Sequence, residues 1–439
     1  MRRRFFVLLA LLPILTASNA QDLLPLEQAI ATALKNNYDI LLVKNDSAAY
    51  ALDNSYSYVA FLPNLNGSAT KVWNHNNQRQ QLADGSKRAL DNARSSNLTA
   101  SVNMNWVLFD GLKMFATREK LAEFQKLGEL GVRNQVVNTV AAVVNNYYNI
   151  VQAKQSLKAV EEQMSISEER VKLADKKLSV GLGSKPELLQ ARVDLNAQKA
   201  AQLAQQTSIA RLIETLNQVM GMASKSFIYA VADSIPINLD LQYGELVNNI
   251  TSSNPSLLLG QKNIDIANLT LLERKRERWP TISFNSAYNY SRLNNKAVVN
   301  PFTPLFSQNN GFNYGFGATI PILNGFNSKR LIQQAKLDIE YQQLSYDNQR
   351  GIIDVSLGNS FKDYEYQKKA LTLEEENIQL AKENVNIALA RFRQGVSTYL
   401  ELREAQFSLA DAYNRLIAAR YNTKLAETEL LRLKGDLIR

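Results

Sequence analysis

The chain has 439 residues, a formal charge of +9, 45% hydrophobic residues, one histidine and no cysteine. Without cysteine there can be no disulfide framework, thiol nucleophile, Cys/His zinc site or lipidated N-terminal cysteine, and His75 alone in a polar stretch does not suit a His-dependent triad. The basic excess is too mild to argue for nucleic acid as a partner.

The first predicted element is a secretory signal peptide at 1–20. Arg2, Arg3 and Arg4 precede an apolar run from Phe5 to Leu15, and the small-x-small site Ser18-Asn19-Ala20 stands before Gln21. The run is shorter than the roughly 20 residues a membrane-spanning helix needs. Its removal takes away three arginines and leaves +6. No later segment approaches about 18 uninterrupted apolar residues, so an exported chain of this kind is periplasmic, secreted or an outer-membrane β-barrel.

The remaining chain reads as one unit repeated twice, 21–221 and 222–439, the two repeats forming one structural unit. Asn37 and Pro63 stand 217 residues before Asn254 and Pro280. Gly111, Gly181, Glu187, Ala191 and Gly221 stand 214 before Gly325, Gly395, Glu401, Ala405 and Gly435. In each repeat a helix-patterned stretch comes first, Leu26 to Leu62 and Gly244 to Trp279, and ends before a proline.

Two strands are expected next in each repeat. Leu98, Ala100, Val102, Met104, Trp106 and Leu108 alternate with Thr99, Ser101, Asn103 and Asn105; Tyr314, Phe316, Ala318, Ile320 and Ile322 alternate with Asn313, Gly315, Gly317 and Thr319. Ile282, Phe284, Tyr288 and Tyr290, and more weakly Leu65, Ala69 and Trp73, give the partner strands. Such alternation of aromatic-rich and small polar faces suits transmembrane β-strands, although a soluble antiparallel sheet shares the pattern. Asn74 to Ser96 and Ser291 to Phe312 are expected as polar extracellular loops.

After Gly111 and Gly325 the period changes to seven. Ile150, Leu157, Met164, Val171 and Leu178 form one heptad series, and Tyr364, Leu371, Ile378, Val385 and Phe392 form its counterpart. Both predict long helices packed by coiled-coil rules. The last helix of the first repeat is expected from Pro186 to Met220. Glu161-Glu162, Glu168-Glu169 and Glu374 to Glu376 sit among lysines on these helices and read as solvated faces. The cluster Arg274-Lys275-Arg276 precedes the third strand and suits either lipid headgroups or water.

The turns at 180–188 and 394–402, together with Leu-Phe-Asp-Gly at 108–111 and Ile-Leu-Asn-Gly at 322–325, resemble the TolC family of outer-membrane efflux proteins. The resemblance covers essentially the whole mature chain. It implies an α+β membrane protein in which a long α-helical coiled-coil barrel is continuous with a transmembrane β-barrel, four strands per chain closing it as a homotrimer. It further implies an outer-membrane exit duct with its helical tunnel in the periplasm, served by a periplasmic adaptor protein and an inner-membrane transporter of a tripartite efflux pump or type I secretion system. No catalysis, cofactor or metal is expected. The strand count points to oligomerisation independently, because four strands leave open edges in lipid. A periplasmic coiled-coil scaffold or adhesin would share the heptads, but would leave the aromatic strand faces unexplained.

The periplasmic tip turns are placed at Gly181, Ser184, Gly395 and Ser397, the surface open to inner-membrane partners. By the same resemblance the pore constriction falls at Glu401 and Glu404, with Glu187 at the matching position in the first repeat. Glutamate stands where the family usually has aspartate, and Ser397 where some members have arginine.

Overall fold

A computed structural model of the chain describes residues 23–222, 229–248 and 250–437. The signal peptide expected at 1–20 lies outside the described residues. The elements in order are helices α1 (Leu26–Asn36) and α2 (Tyr38–Ser55), a short 3-10 turn (Ser57–Phe61), strands β1 (Asn64–Gln81) and β2 (Lys87–Asp110), and helices α3 (Lys113–Ser179) and α4 (Lys185–Val219). Then come α5 (Tyr243–Val247), α6 (Ile250–Ser253), α7 (Pro255–Arg276), β3 (Thr281–Asn295), β4 (Phe306–Thr319), α8 (Asn327–Arg393) and α9 (Tyr399–Lys434). Two compact units emerge. One takes the described residues up to Leu41, Gln135–Ile250 and Val355 onward, and the other takes Leu42–Asn134 and Thr251–Asp354. Each draws on both halves of the sequence.

The two halves share unusual backbone geometry as well as element order. Gly111 and Gly325, Gly181 and Gly395, and Gly221 and Gly435 all have positive φ, as do Leu112 and Phe326, every pair 214 residues apart. In this left-handed region a Cβ is penalised, so glycine ends helices at low cost. Asn37 and Asn254 match as well. Each side-chain Oδ1 accepts from a backbone N–H three residues on, Ile40 and Leu257, at 3.1 Å.

Those asparagines correct the opening helices, which are expected to be continuous. Asn37 adopts an extended backbone, ends α1 and starts α2; its Nδ2 also donates to the Val219 carbonyl at 2.8 Å. Pro255 at the first position of α7 imposes the equivalent break. Asparagine competes with the helix for backbone hydrogen bonds, so an apolar periodicity passes through the break unaltered.

α3 and α8 have 67 residues each, or about 100 Å at 1.5 Å per residue. The α8 heptads Tyr364, Leu371, Ile378, Val385 and Phe392 are all buried. In α3 the expected series divides. Ile150 is buried, Leu157, Met164, Val171 and Leu178 are only half-buried, and the buried positions farther along are Ala159, Gln163, Ser167, Arg170 and Ala174. Val171 and Leu178 pack beside Leu188 and Ala191 of α4 instead. The expected solvated carboxylates partly pair across helices: Glu374 meets Arg415 at 3.0 Å and Glu375 meets Arg420 at 3.1 Å.

The strands form one antiparallel sheet in the order β1-β2-β3-β4. Its register separates two faces. One carries the rows Asn64–Asn105–Asn285–Gly315, Asn66–Asn103–Ala287–Asn313, Ser68–Ser101–Asn289–Gly311 and Thr70–Thr99–Ser291–Asn309. Asn105 Nδ2 donates to Asn285 Oδ1 at 2.6 Å across the seam between the halves. The opposite face carries Leu65–Met104–Ser286–Tyr314, Gly67–Val102–Tyr288–Phe312, Ala69–Ala100–Tyr290–Asn310 and Lys71–Leu98–Arg292–Gln308.

The strands run farther than alternation predicts. Asn74 to Gln81 pairs with Lys87 to Ser95, with one irregularity between Asn76 and Gln78, so the first expected loop is mostly strand. Both faces are polar there, which erases the period-two signal without weakening the backbone ladder. The turn itself is Asp84-Gly85, with Gly85 at φ 80° and Asp84 Oδ1 accepting from Ser86 N at 2.9 Å. In the second hairpin only 296–305 separates the strands. β4 stops at Thr319, leaving Ile320 and Ile322 outside it, because Pro321 has no N–H for a ladder.

Candidate functional site: the two helix hairpins

The expected tip residues lie on two matching hairpins, α3–α4 and α8–α9. Each long helix ends in the same six-residue closure. Leu182 N donates to Lys177 O at 2.9 Å and Gly181 N to Leu178 O at 3.1 Å; Val396 N donates to Arg391 O at 3.0 Å and Gly395 N to Phe392 O at 3.2 Å. These paired bonds satisfy the last carbonyls of the helix and need a left-handed residue, here Gly181 and Gly395. No atom would lie within 4 Å of a Cβ added at either glycine. The requirement is therefore for φ rather than for space.

The next helices begin with side-chain N-caps. Ser184 Oγ accepts from Glu187 N at 3.4 Å, and Thr398 Oγ1 accepts from Glu401 N at 3.3 Å. Glu187 and Glu401 thus stand at the third position of α4 and α9, where a carboxylate also meets the positive end of the helix dipole. The Ser-x-x-Glu and Thr-x-x-Glu spacings carry this signal in the sequence. Glu401 and Glu404 are exposed, and Arg391 Nη2 lies 3.9 Å from Glu401 Oε2. Such an exposed pair contributes little to stability. Ser184 is exposed, whereas Ser397 is buried and its Oγ donates to the Ala388 carbonyl at 3.4 Å.

Sequence reasoning missed a charged cluster just beneath these turns. Arg170 of α3 has a side chain only 2% exposed, and its Nη2 lies 2.6 Å from Asp194 Oδ2 of α4. Its Nη1 donates to Gln406 Oε1 of α9 at 2.6 Å, and its guanidinium lies 4.8 Å from the centre of the Tyr399 ring. Tyr399 donates to Asp194 Oδ2 at 2.7 Å, Gln190 Nε2 donates to Asp194 Oδ1 at 2.9 Å, and Arg403 Nε is 3.5 Å from Asp194 Oδ2.

Burial works to raise the Asp194 carboxyl, but hydrogen bonds from Tyr399 and Gln190 and the charges of Arg170 and Arg403 outweigh it and hold the group below its ordinary value. Burial and the bond to Asp194 push the Tyr399 hydroxyl up to about 12. No sequence signal marked the cluster, because Arg170 stands one residue before Val171 of the expected seam, whose own positions are all apolar. The cluster ties α3, α4 and α9 together around Arg170 and Asp194. Among the described residues no group of three or more His, Cys, Asp or Glu could hold a metal ion, and no helix is long and apolar enough to cross a membrane.

The family model described as "Outer membrane efflux protein" matches residues 29–222 and 246–436. The chain is 23% identical over 412 residues to the outer membrane protein TolC of Vibrio cholerae, covering 92% of this chain and 89% of that one. It is 22% identical over 343 residues to the outer membrane efflux protein BepC of Brucella suis, covering 77% and 72%. The crystal structure of the outer membrane protein VceC from Vibrio cholerae superposes with a TM-score of 0.75 at 15% identity, covering 93% of this chain and 96% of that one.

Proposed function

Because the chain belongs to the outer membrane efflux protein family, whose members are transport proteins of the outer membrane, we propose that it works as a homotrimeric exit duct without catalysing a reaction. It passes substrates from a periplasmic adaptor protein and an inner-membrane transporter to the outside, in a tripartite efflux pump or a type I secretion system. The observation that carries this reading is the sheet. It has four strands, open edges at β1 and β4, one face of Asn, Ser, Thr and Gly, and one of Phe, Tyr, Leu and Val. An open edge in lipid costs several kcal/mol for each unsatisfied backbone group, so copies must pool their strands. Three copies reach a strand number well inside the range of outer-membrane barrels. A second apolar stripe on α8, Tyr366, Leu373, Leu380 and Ile387, is exposed in the single chain at seven-residue spacing and supplies a coiled-coil seam for a neighbouring copy.

In this assembly the turns at Gly181, Ser184, Gly395 and Ser397 meet the inner-membrane partners, and Glu401 and Glu404, with Glu187, ring the narrowest aperture. Glu401 and Glu404 are exposed and Glu187 is half-buried, and none is committed to a buried pair, which supports that assignment. The test of the whole reading is mass measurement of the purified mature protein by light scattering in detergent. A detergent-requiring trimer is expected, and a monodisperse monomer soluble without detergent would overturn the duct.

A further inference from the structure

The apolar face of the sheet ends in a row of cations. From the Phe109–Ile282 row to the row holding Trp73 and Asn294, the four strands contain only two charged residues, Lys71 and Arg292. Both fall in one row on one face, flanking Leu98, with Gln308 completing the row. Two strand spacings place their backbones about 10 Å apart. Ile282 to Arg292 is ten residues, which at roughly 3.3 Å each and a tilt of about 40° rises about 25 Å, the height of the lipid-facing band of an outer-membrane barrel. The row therefore marks the outer limit of the hydrocarbon.

Side-chain geometry points the same way. Lys71 Nζ lies 4.9 Å from the Trp73 ring centre, and the Arg292 guanidinium lies 5.4 Å from that of Phe306. Trp73 stands two residues beyond Lys71, and Phe306 pairs with Asn294, two residues beyond Arg292. Both heads thus lean toward the hairpin ends, away from the helices, as cations do when their stems lie on apolar surface and their charge seeks a headgroup layer. Among the described residues neither has a carboxylate within ion-pair distance. The helices of this family lie in the periplasm, so the hairpin ends face the outer leaflet.

We propose that Lys71 and Arg292 form a belt that binds the phosphate groups of an anionic glycolipid of the outer leaflet. The inference rests on the barrel reading above and adds a lipid class to it. A basic residue near an anionic membrane surface contributes about 1 kcal/mol, so two per chain correspond to about thirtyfold in affinity.

The experiment uses the mature protein in nonionic detergent, titrated with diphosphorylated lipid A, with chemically dephosphorylated lipid A or with sodium phosphate, binding being read as thermal stabilisation. Light scattering on each sample first checks detergent-dependent assembly, so failure of the duct reading is seen separately. Saturable stabilisation by the diphosphorylated lipid alone, weakened about thirtyfold in the Lys71→Gln, Arg292→Gln double variant and retained in Lys71→Arg, Arg292→Lys, is expected. Equal stabilisation by the dephosphorylated lipid or by free phosphate overturns the proposal, as does an unchanged midpoint in a double variant that still assembles. Should the glutamine variant not assemble, the three wild-type titrations decide the question alone.

Discussion

Replacing Asp194 with alanine should loosen the α3–α4 hairpin far more than replacing the arginine it pairs with. In Asp194→Ala the guanidinium of Arg170, 2% exposed, keeps only Gln406 and the Tyr399 face. A buried charge stripped of its partner costs about 3 to 5 kcal/mol, and the two surviving contacts favour the lower end, about 3 kcal/mol or roughly 150-fold in a local opening constant. In Arg170→Met the apolar stem is replaced, and Asp194 retains Tyr399, Gln190 and Arg403. That loss is about 1 kcal/mol, roughly fivefold. Amide hydrogen exchange by mass spectrometry on the detergent-solubilised protein reads both numbers in peptides covering 165–175 and 188–198, where exchange follows the opening equilibrium. The sign with pH follows from the lowered carboxyl. Its stabilisation is complete above the ordinary aspartate value of 3.8 and is lost as pH falls through the still lower folded value. The gap between wild type and Asp194→Ala should therefore narrow only in strong acid. Exchange in Asp194→Ala no faster than in Arg170→Met would refute the argument.

Gly221→Ala should prevent accumulation of folded protein, because its Cβ would fall 2.2 Å from the Asn36 carbonyl oxygen, whereas Gly181→Ala, with open space, should cost only about 1 to 2 kcal/mol of backbone strain; immunoblots of membrane fractions distinguish the two. Gly395→Val should impair export while the trimer persists, and equal loss of both would assign that turn to folding instead of docking. Removing the caps in Ser184→Ala or Thr398→Ala should each cost about 1 kcal/mol, seen as faster exchange confined to the first turn of α4 or α9. In planar bilayers the Glu401→Gln, Glu404→Gln double variant should lose cation preference, since a ring of carboxylates focuses a negative field; unchanged selectivity and conductance would remove these residues from the aperture.

The fold was legible where chain chemistry repeats with a fixed period. Trp106 and Phe316 announced strands by alternation, Tyr364 to Phe392 announced a coiled-coil seam by sevens, and the glycines at matching offsets marked helix ends that prove left-handed. It was obscured where one interaction replaced another without changing composition. Asn37 interrupts a helix by capping the next. Asn74 to Gln81 form a strand with no apolar face, although Asp84-Gly85 offered a hairpin signal. At the hairpins the positions of Glu187 and Glu401 were readable, but not that their backbone N–H groups meet the cap side chains of Ser184 and Thr398. Arg170 was hidden most deeply, because its partners Asp194, Tyr399 and Gln406 come from two other helices and only the folded chain brings them together.

The polar face of the sheet carries no fixed charge in any row from Asn64 to Thr70. Amide and hydroxyl dipoles can turn toward either sign of solute, so water beside such a surface holds no reservoir of counter-ions, and its ionic composition follows the bulk solution. A conduit limited by this lining alone would pass current that scales with salt concentration down to low ionic strength, so any bending there would report fixed charges elsewhere. Any preference for one sign of ion then has its origin in charges outside these rows, which makes reversal potential a reading of those charges.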